Sequence, residues 1–332
     1  GEFNKVINGT ADWVYEEELS QAQYFSWSPD GSKIAFLRFD ESQVKEFSMT
    51  MWGELYPEEY RYKYPKAGED NSVVDVMIYD LNSGKTTKLD FGKDFDGYYP
   101  RIYWLPNSTD LITLKLNRHQ NHLDFIRYNT LTQQYDVVFT DDNKCWLEIS
   151  DEYYFLNDNK TMLVTSERDG YNHIYKVELG GPVTQLTKGQ WDVASIAAVD
   201  QKAKLVYYLS NESNTLNRDL YVINFDGKKK KLLTSGTGWN DVSFSSNAKY
   251  YRCTYSDIQT PPVYTIHKAD GKQLRVLEDN AALKKRMEDY GFSKRELFSF
   301  TSDQGIQLNG WMLKPLDFDD NKKYPVLMYV YG

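Results

Sequence analysis

Phe25-Ser-Trp-Ser-Pro-Asp-Gly-Ser-Lys-Ile-Ala-Phe36 packs a short apolar strand, a polar turn and a second apolar strand into twelve residues. Pro, Asp and Gly supply the turn, because they favour or tolerate the backbone angles that a tight reversal needs. The same grammar returns in Ile102-Tyr-Trp-Leu-Pro-Asn-Ser-Thr-Asp-Leu-Ile-Thr113 and in Tyr154-Phe-Leu-Asn-Asp-Asn-Lys-Thr-Met-Leu-Val164. It comes back around Asp200 before Leu205-Val-Tyr-Tyr208, and in Val242-Ser-Phe-Ser-Ser-Asn-Ala-Lys-Tyr-Tyr251. A second half follows each copy, an apolar strand that turns into another, as in Val76-Met-Ile-Tyr-Asp-Leu-Asn-Ser-Gly84, His173-Ile-Tyr-Lys-Val-Glu178 and Asp219-Leu-Tyr-Val-Ile-Asn224. The turns fall at Asp30, Asn107, Asp158, Asp200 and Asn247, at intervals of 77, 51, 42 and 47 residues. Four strands in roughly 40–50 residues is the period of a β-propeller blade. A sandwich would not repeat a four-strand unit five times, and no long helical pattern intervenes to build a parallel α/β sheet. The expected fold is all-β, a partial propeller of about five four-stranded blades.

The long first interval holds an insertion over residues 41–72. Met49, Met51, Trp52, Leu55 and several tyrosines make it too apolar for a wet loop. It folds back over its own blade or reaches another subunit. After residue 278 the pattern changes. Asn280 to Tyr290 has an Asn cap position, strong helix formers and Gly291 as a stop. A hairpin over 296–313 follows, and then the apolar run Pro325-Val-Leu-Met-Tyr-Val-Tyr331, the type of strand buried on both faces of an α/β sheet. We therefore expect blades over 1–279, and a linker helix with the first strands of a second domain over 280–332, in a piece of a longer protein.

Composition narrows the function classes. A net charge of −9 argues against a nucleic-acid partner, and the longest apolar cluster is strand-sized, not membrane-sized. Two cysteines, Cys145 and Cys253, make no disulfide framework. Tyr, Phe and Trp together reach 15%, which favours β structure. The pair His119 and His122 has a metal-like spacing, but on a strand it points the two rings to opposite faces, so no metal or cofactor is expected. No G-x-S-x-G nucleophile elbow and no phosphate-binding glycine loop occur.

The remaining candidate is Asp12-Trp-Val-Tyr-Glu-Glu-Glu18, three adjacent carboxylates expected on a loop between blades. On an open surface they are a solvated run; facing a cavity they call for a cation.

That stretch, the Trp27-Ser-Pro-Asp-Gly31 turn, Tyr64-Pro-Lys-Ala-Gly68, Arg275-Val-Leu-Glu-Asp-Asn280 and Lys323-Tyr-Pro-Val-Leu-Met-Tyr-Val-Tyr-Gly332 follow one another in an order that resembles the dipeptidyl peptidase IV family of serine peptidases. The resemblance covers nearly the whole chain. It implies later blades of an eight-bladed propeller leading into an α/β-hydrolase domain, in an enzyme that removes X-Pro or X-Ala dipeptides from free N-termini. By the same resemblance Glu17 and Glu18 hold the substrate ammonium, Tyr331 helps stabilise the oxyanion, and the 41–72 arm contributes to a homodimer. The protein would be periplasmic or secreted, and the Ser, Asp and His of the triad would lie beyond these residues, leaving this stretch inactive by itself. Animal members carry an Arg-Phe-Arg element where this chain has Trp146-Leu-Glu-Ile-Ser-Asp151, so the neighbouring subsite should differ. A non-catalytic propeller that binds peptides or proteins is the alternative.

Overall fold

The structure is a computed structural model and describes residues 1–92 and 95–330. The repeat becomes five antiparallel sheets of blade type. The first joins Val6–Asn8 and Phe25–Trp27 to Lys33–Asp40, followed by Val73–Asp80 and Lys85–Lys88. The second runs from Gly97–Tyr98 and Ile102–Trp104 through Asp110–Asn117 and His122–Asn129 to Gln134–Asp142. The remaining three are simple four-strand meanders that begin at Tyr153, Val193 and Trp239. Strand periodicity accounts for burial: in Lys33–Asp40 alternate residues Ala35, Leu37 and Phe39 have no exposed surface.

Four of the five turns that revealed the repeat share one geometry. Backbone bonds of 2.8–2.9 Å close them from Ser28 N–H to Lys33, Leu105 to Asp110, Leu156 to Thr161 and Ser245 to Tyr250. The fourth residue of each is left-handed: Gly31, Ser108, Asn159 and Ala248 have φ of 70°, 61°, 55° and 52°. Successive blades are stitched through these turns. The Asp30 N–H donates to Ser108 Oγ at 3.0 Å, Asn107 N–H to Asn159 Oδ1 at 2.8 Å, and Asn157 N–H to Gln201 Oε1 at 2.8 Å.

The chain divides into two compact units. One comprises Gly1–Val193, Gln201–Lys204 and Asn224–Lys228. Its core centres on residues such as Tyr24, Leu105, Leu114, Phe125 and Met162. The other comprises Ala194–Asp200, Leu205–Ile223 and Lys229–Gly332, with Leu209, Leu220, Tyr251 and Cys253 at its core.

In the second unit a helix over Ala281–Asp289 and a hairpin of Arg295–Thr301 with Gln307–Leu313 lie where the sequence suggests. The cap differs. Asn280 sits at the N-cap with φ 51°, but its side chain donates to the Pro262 carbonyl at 2.6 Å, and Asp279 accepts from the Ala281 N–H instead. The apolar run expected as a buried strand is unpaired over 323–330, with Val326 and Leu327 at 84% and 97% exposure. A two-sided buried strand needs neighbours on both edges, and none of the described residues pairs with it.

The 41–72 insertion is a projecting hairpin of Glu46–Met51 and Glu58–Lys63. Its tip exposes Trp52, Leu55 and Tyr56.

Candidate functional site

The acidic stretch is a helix, not a loop. Helix α1 covers Trp13–Leu19, and Asp12 caps it by accepting the Tyr15 N–H at 3.0 Å. Burial draws the Asp12 carboxyl upward in pKa, against the hydrogen bond that Ser72 Oγ donates to it at 2.6 Å. Tyr15 and Leu19, four residues apart, form the buried face of the helix. The Tyr15 ring packs edge-on against Tyr24, Phe39 and Tyr98, and its hydroxyl accepts the Tyr99 N–H at 2.9 Å. With that face fixed in the core, Glu16, Glu17 and Glu18 are turned to solvent.

Their position on the helix has an electrostatic consequence. Glu16 belongs to the first turn, whereas Glu17 and Glu18 lie toward the C-terminal end, where unpaired carbonyls carry partial negative charge, and no basic residue stands in the last turn. A cation near that end is favoured over a further anion. Glu18 also borders a cleft of about 130 Å³, shared with Arg101, Trp146, Glu148 and Asp151. Glu17 stands one residue away on the exposed helix surface.

Arg101 is 5% exposed and pairs through Nε with Asp151 at 2.5 Å, while one terminal nitrogen donates to the Pro100 carbonyl at 2.7 Å. Burial works against its charge, but the Asp151 carboxylate outweighs burial and raises its pKa. Desolvation pushes the phenols of Tyr24, Tyr103 and Tyr153 well up, so they remain neutral hydroxyls. Along another wall of the cleft the Trp146 Nε1–H donates to Glu148 at 3.3 Å. The Leu147 N–H holds that wall by donating to the Gln120 carbonyl at 2.7 Å. The result is an acidic, aromatic-edged cleft whose one buried cation is already paired, an environment that accepts a cationic group.

Of the residues singled out in the sequence, Glu17 and Glu18 share this helix, and Trp146 to Asp151 form a wall of the cleft beside Glu18. Tyr331 lies outside the described residues. Arg101 escapes sequence reading, because its partner is 50 residues away and no local pattern joins them. His122 contacts Asp142 and Asp124, not His119. Among the described residues no group of three or more His, Cys, Asp or Glu is placed to hold a metal ion, and no helix is long and apolar enough to cross a membrane.

Known proteins are similar to this chain in sequence and architecture. A crystal structure of Porphyromonas gingivalis dipeptidyl peptidase 4 superposes with a TM-score of 0.91 at 38% identity, over 98% of this chain and 46% of that one. Dipeptidyl peptidase 4 of Arthroderma otae is 30% identical over 98% of this chain and 44% of its own length. The Trichophyton rubrum dipeptidyl peptidase 4 is 28% identical with the same coverage. The chain thus spans a little under half the length of these relatives. Residues 1–262 match the family described as the dipeptidyl peptidase IV (DPP IV) N-terminal region, and the chain belongs to that family.

Proposed function

We propose that the chain is the substrate-gating propeller region of a serine exopeptidase that removes X-Pro or X-Ala dipeptides, with Glu17 and Glu18 anchoring the substrate's N-terminal ammonium. The observation that carries this reading is the placement of Glu18 beside the cleft, at the C-terminal end of a helix whose last turn holds no basic residue. A peptide α-amino group, with a pKa of ~7.7–8.0, is mostly charged at neutral pH. Each charge-assisted hydrogen bond to it contributes about 1.5–3 kcal/mol. An amine held at a fixed distance from a nucleophile lets an enzyme count two residues and cut.

In this reading the blades span 1–279, and 280–332 leads into an α/β-hydrolase domain that supplies the Ser, Asp and His. Tyr331 contributes an oxyanion donor there, and these 332 residues alone are inactive. The exposed 41–72 arm serves a homodimer contact, in a periplasmic or secreted protein. The test is hydrolysis of alanyl-prolyl 4-nitroanilide by the whole peptidase. Glu17→Gln and Glu18→Gln should each lower kcat/KM by about 10–100-fold, one charge-assisted bond's worth. Unchanged kcat/KM in both variants would refute the anchoring role.

A further inference from the structure

Seven residues are too few for a helix to hold itself in water, so α1 keeps its direction only through what it touches. One face is set by Tyr15 and Leu19 in the core. The other grip comes from the base of the projecting arm. The Trp13 ring lies 5.0 Å from Tyr62 and 5.0 Å from Tyr64, tilted against the first and edge-on to the second. Phe47 closes the group at 6.1 and 5.6 Å from the same two tyrosines, and Lys66 Nζ sits 4.2 Å over the Phe47 ring. The far end of the same insertion supplies Ser72, whose hydroxyl holds the capping carboxylate of Asp12. The arm therefore clasps the first turn of α1 twice, by an aromatic box and by the cap. Trp13 and Glu17 are four residues apart and so share one side of the helix.

We propose that Trp13 is a positioning residue for amine recognition, and that the arm, acting through Tyr62 and Tyr64, sets the orientation in which α1 presents Glu17 and Glu18. This rests on the anchoring role proposed above. Trp13 is 40% exposed, more than a residue placed only to fill a core would be, and its ring packs against two aromatic rings of the arm, Tyr62 and Tyr64. Charge-assisted recognition depends steeply on geometry, since a displacement of about 1 Å can cost ~100-fold. Releasing the clasp should therefore weaken binding of the amine selectively and leave the rest of a ligand unaffected.

The experiment compares, in the whole peptidase, inhibition constants for alanyl-pyrrolidide and for propionyl-pyrrolidide, which lacks only the amine. Trp13→Ala should raise the first about tenfold and move the second less than about twofold, while Trp13→Phe, which keeps an aromatic ring, stays within about threefold of wild type. Tyr62→Leu reads out the same clasp from the arm side, and serves where thermal denaturation shows that Trp13→Ala has not folded. An equal rise for both inhibitors, or none for alanyl-pyrrolidide, overturns the proposal. Glu17→Gln and Glu18→Gln run alongside. If they weaken alanyl-pyrrolidide and the clasp variants do not, positioning by Trp13 alone is wrong. If they too leave it unchanged, the anchoring role is wrong, and the proposal falls with it.

Discussion

The Tyr15 hydroxyl accepts the backbone N–H of Tyr99 at 2.9 Å, tying the helix that carries the acidic pair to the entry of the second blade. Both residues are buried, and the Tyr15 phenol is driven far above its ordinary pKa by desolvation, so it stays a neutral hydroxyl. Tyr15→Phe keeps the ring contacts and removes the acceptor. A buried amide left without a partner costs about 1–3 kcal/mol, which should appear as a lower urea midpoint with an unchanged slope.

Asn159 does two jobs in one turn: it adopts φ 55° and accepts the Asn107 N–H from the preceding blade. Asn159→Ala loses the acceptor and strains a left-handed position, for a total of roughly 1–2 kcal/mol. Asn159→Gly loses the same side-chain hydrogen bonds without the strain, and the exposed Asn107 amide can turn to water. Glycine should therefore be the milder change in the same urea titration. Equal losses would assign the whole effect to the hydrogen bond.

His122 stands 2.5 Å from Asp142 and 3.3 Å from Asp124. Partial burial opposes its charge, but the two carboxylates, Asp142 foremost, outweigh it and raise its pKa. The imidazolium thus gains partners on folding, so its stabilising effect is complete below the unfolded pKa of about 6.5 and fades as pH rises through the higher folded value. Wild type should lose part of its advantage over His122→Gln in thermal melts as pH rises through the window that opens at the unfolded pKa of about 6.5. A constant difference across that window would contradict the assignment.

The blades were legible because turn chemistry recurs. Asp30, Asn107, Asp158 and Asn247 each accept backbone N–H groups within their own turns, a local device that leaves a local trace. The hairpin over 295–313 was legible for the same reason. Helix α1 was not: the stretch is expected on a loop, because Trp, Val and Tyr are weak helix formers and seven residues give too little periodicity. What makes it helical is the Asp12 cap and the tertiary burial of Tyr15 and Leu19. The acidic pair was visible as composition, whereas the Arg101–Asp151 pair beside it is a contact across 50 residues that no pattern announces. The arm was legible as a non-loop from its aromatic content, but its grip on Trp13 appears only in three dimensions.

The central claim is that Glu17 and Glu18 recognise an ammonium group, and one comparison addresses it directly. The whole peptidase is assayed with alanyl-prolyl 4-nitroanilide and with propionyl-prolyl 4-nitroanilide, which differ only in the amine. Two charge-assisted bonds predict a preference of roughly 10²–10⁴ in kcat/KM for the amine-bearing substrate. In the double variant Glu17→Gln with Glu18→Gln that preference should collapse to within about tenfold, mainly through loss on the alanyl substrate. A double variant that still discriminates as strongly as wild type would contradict the account.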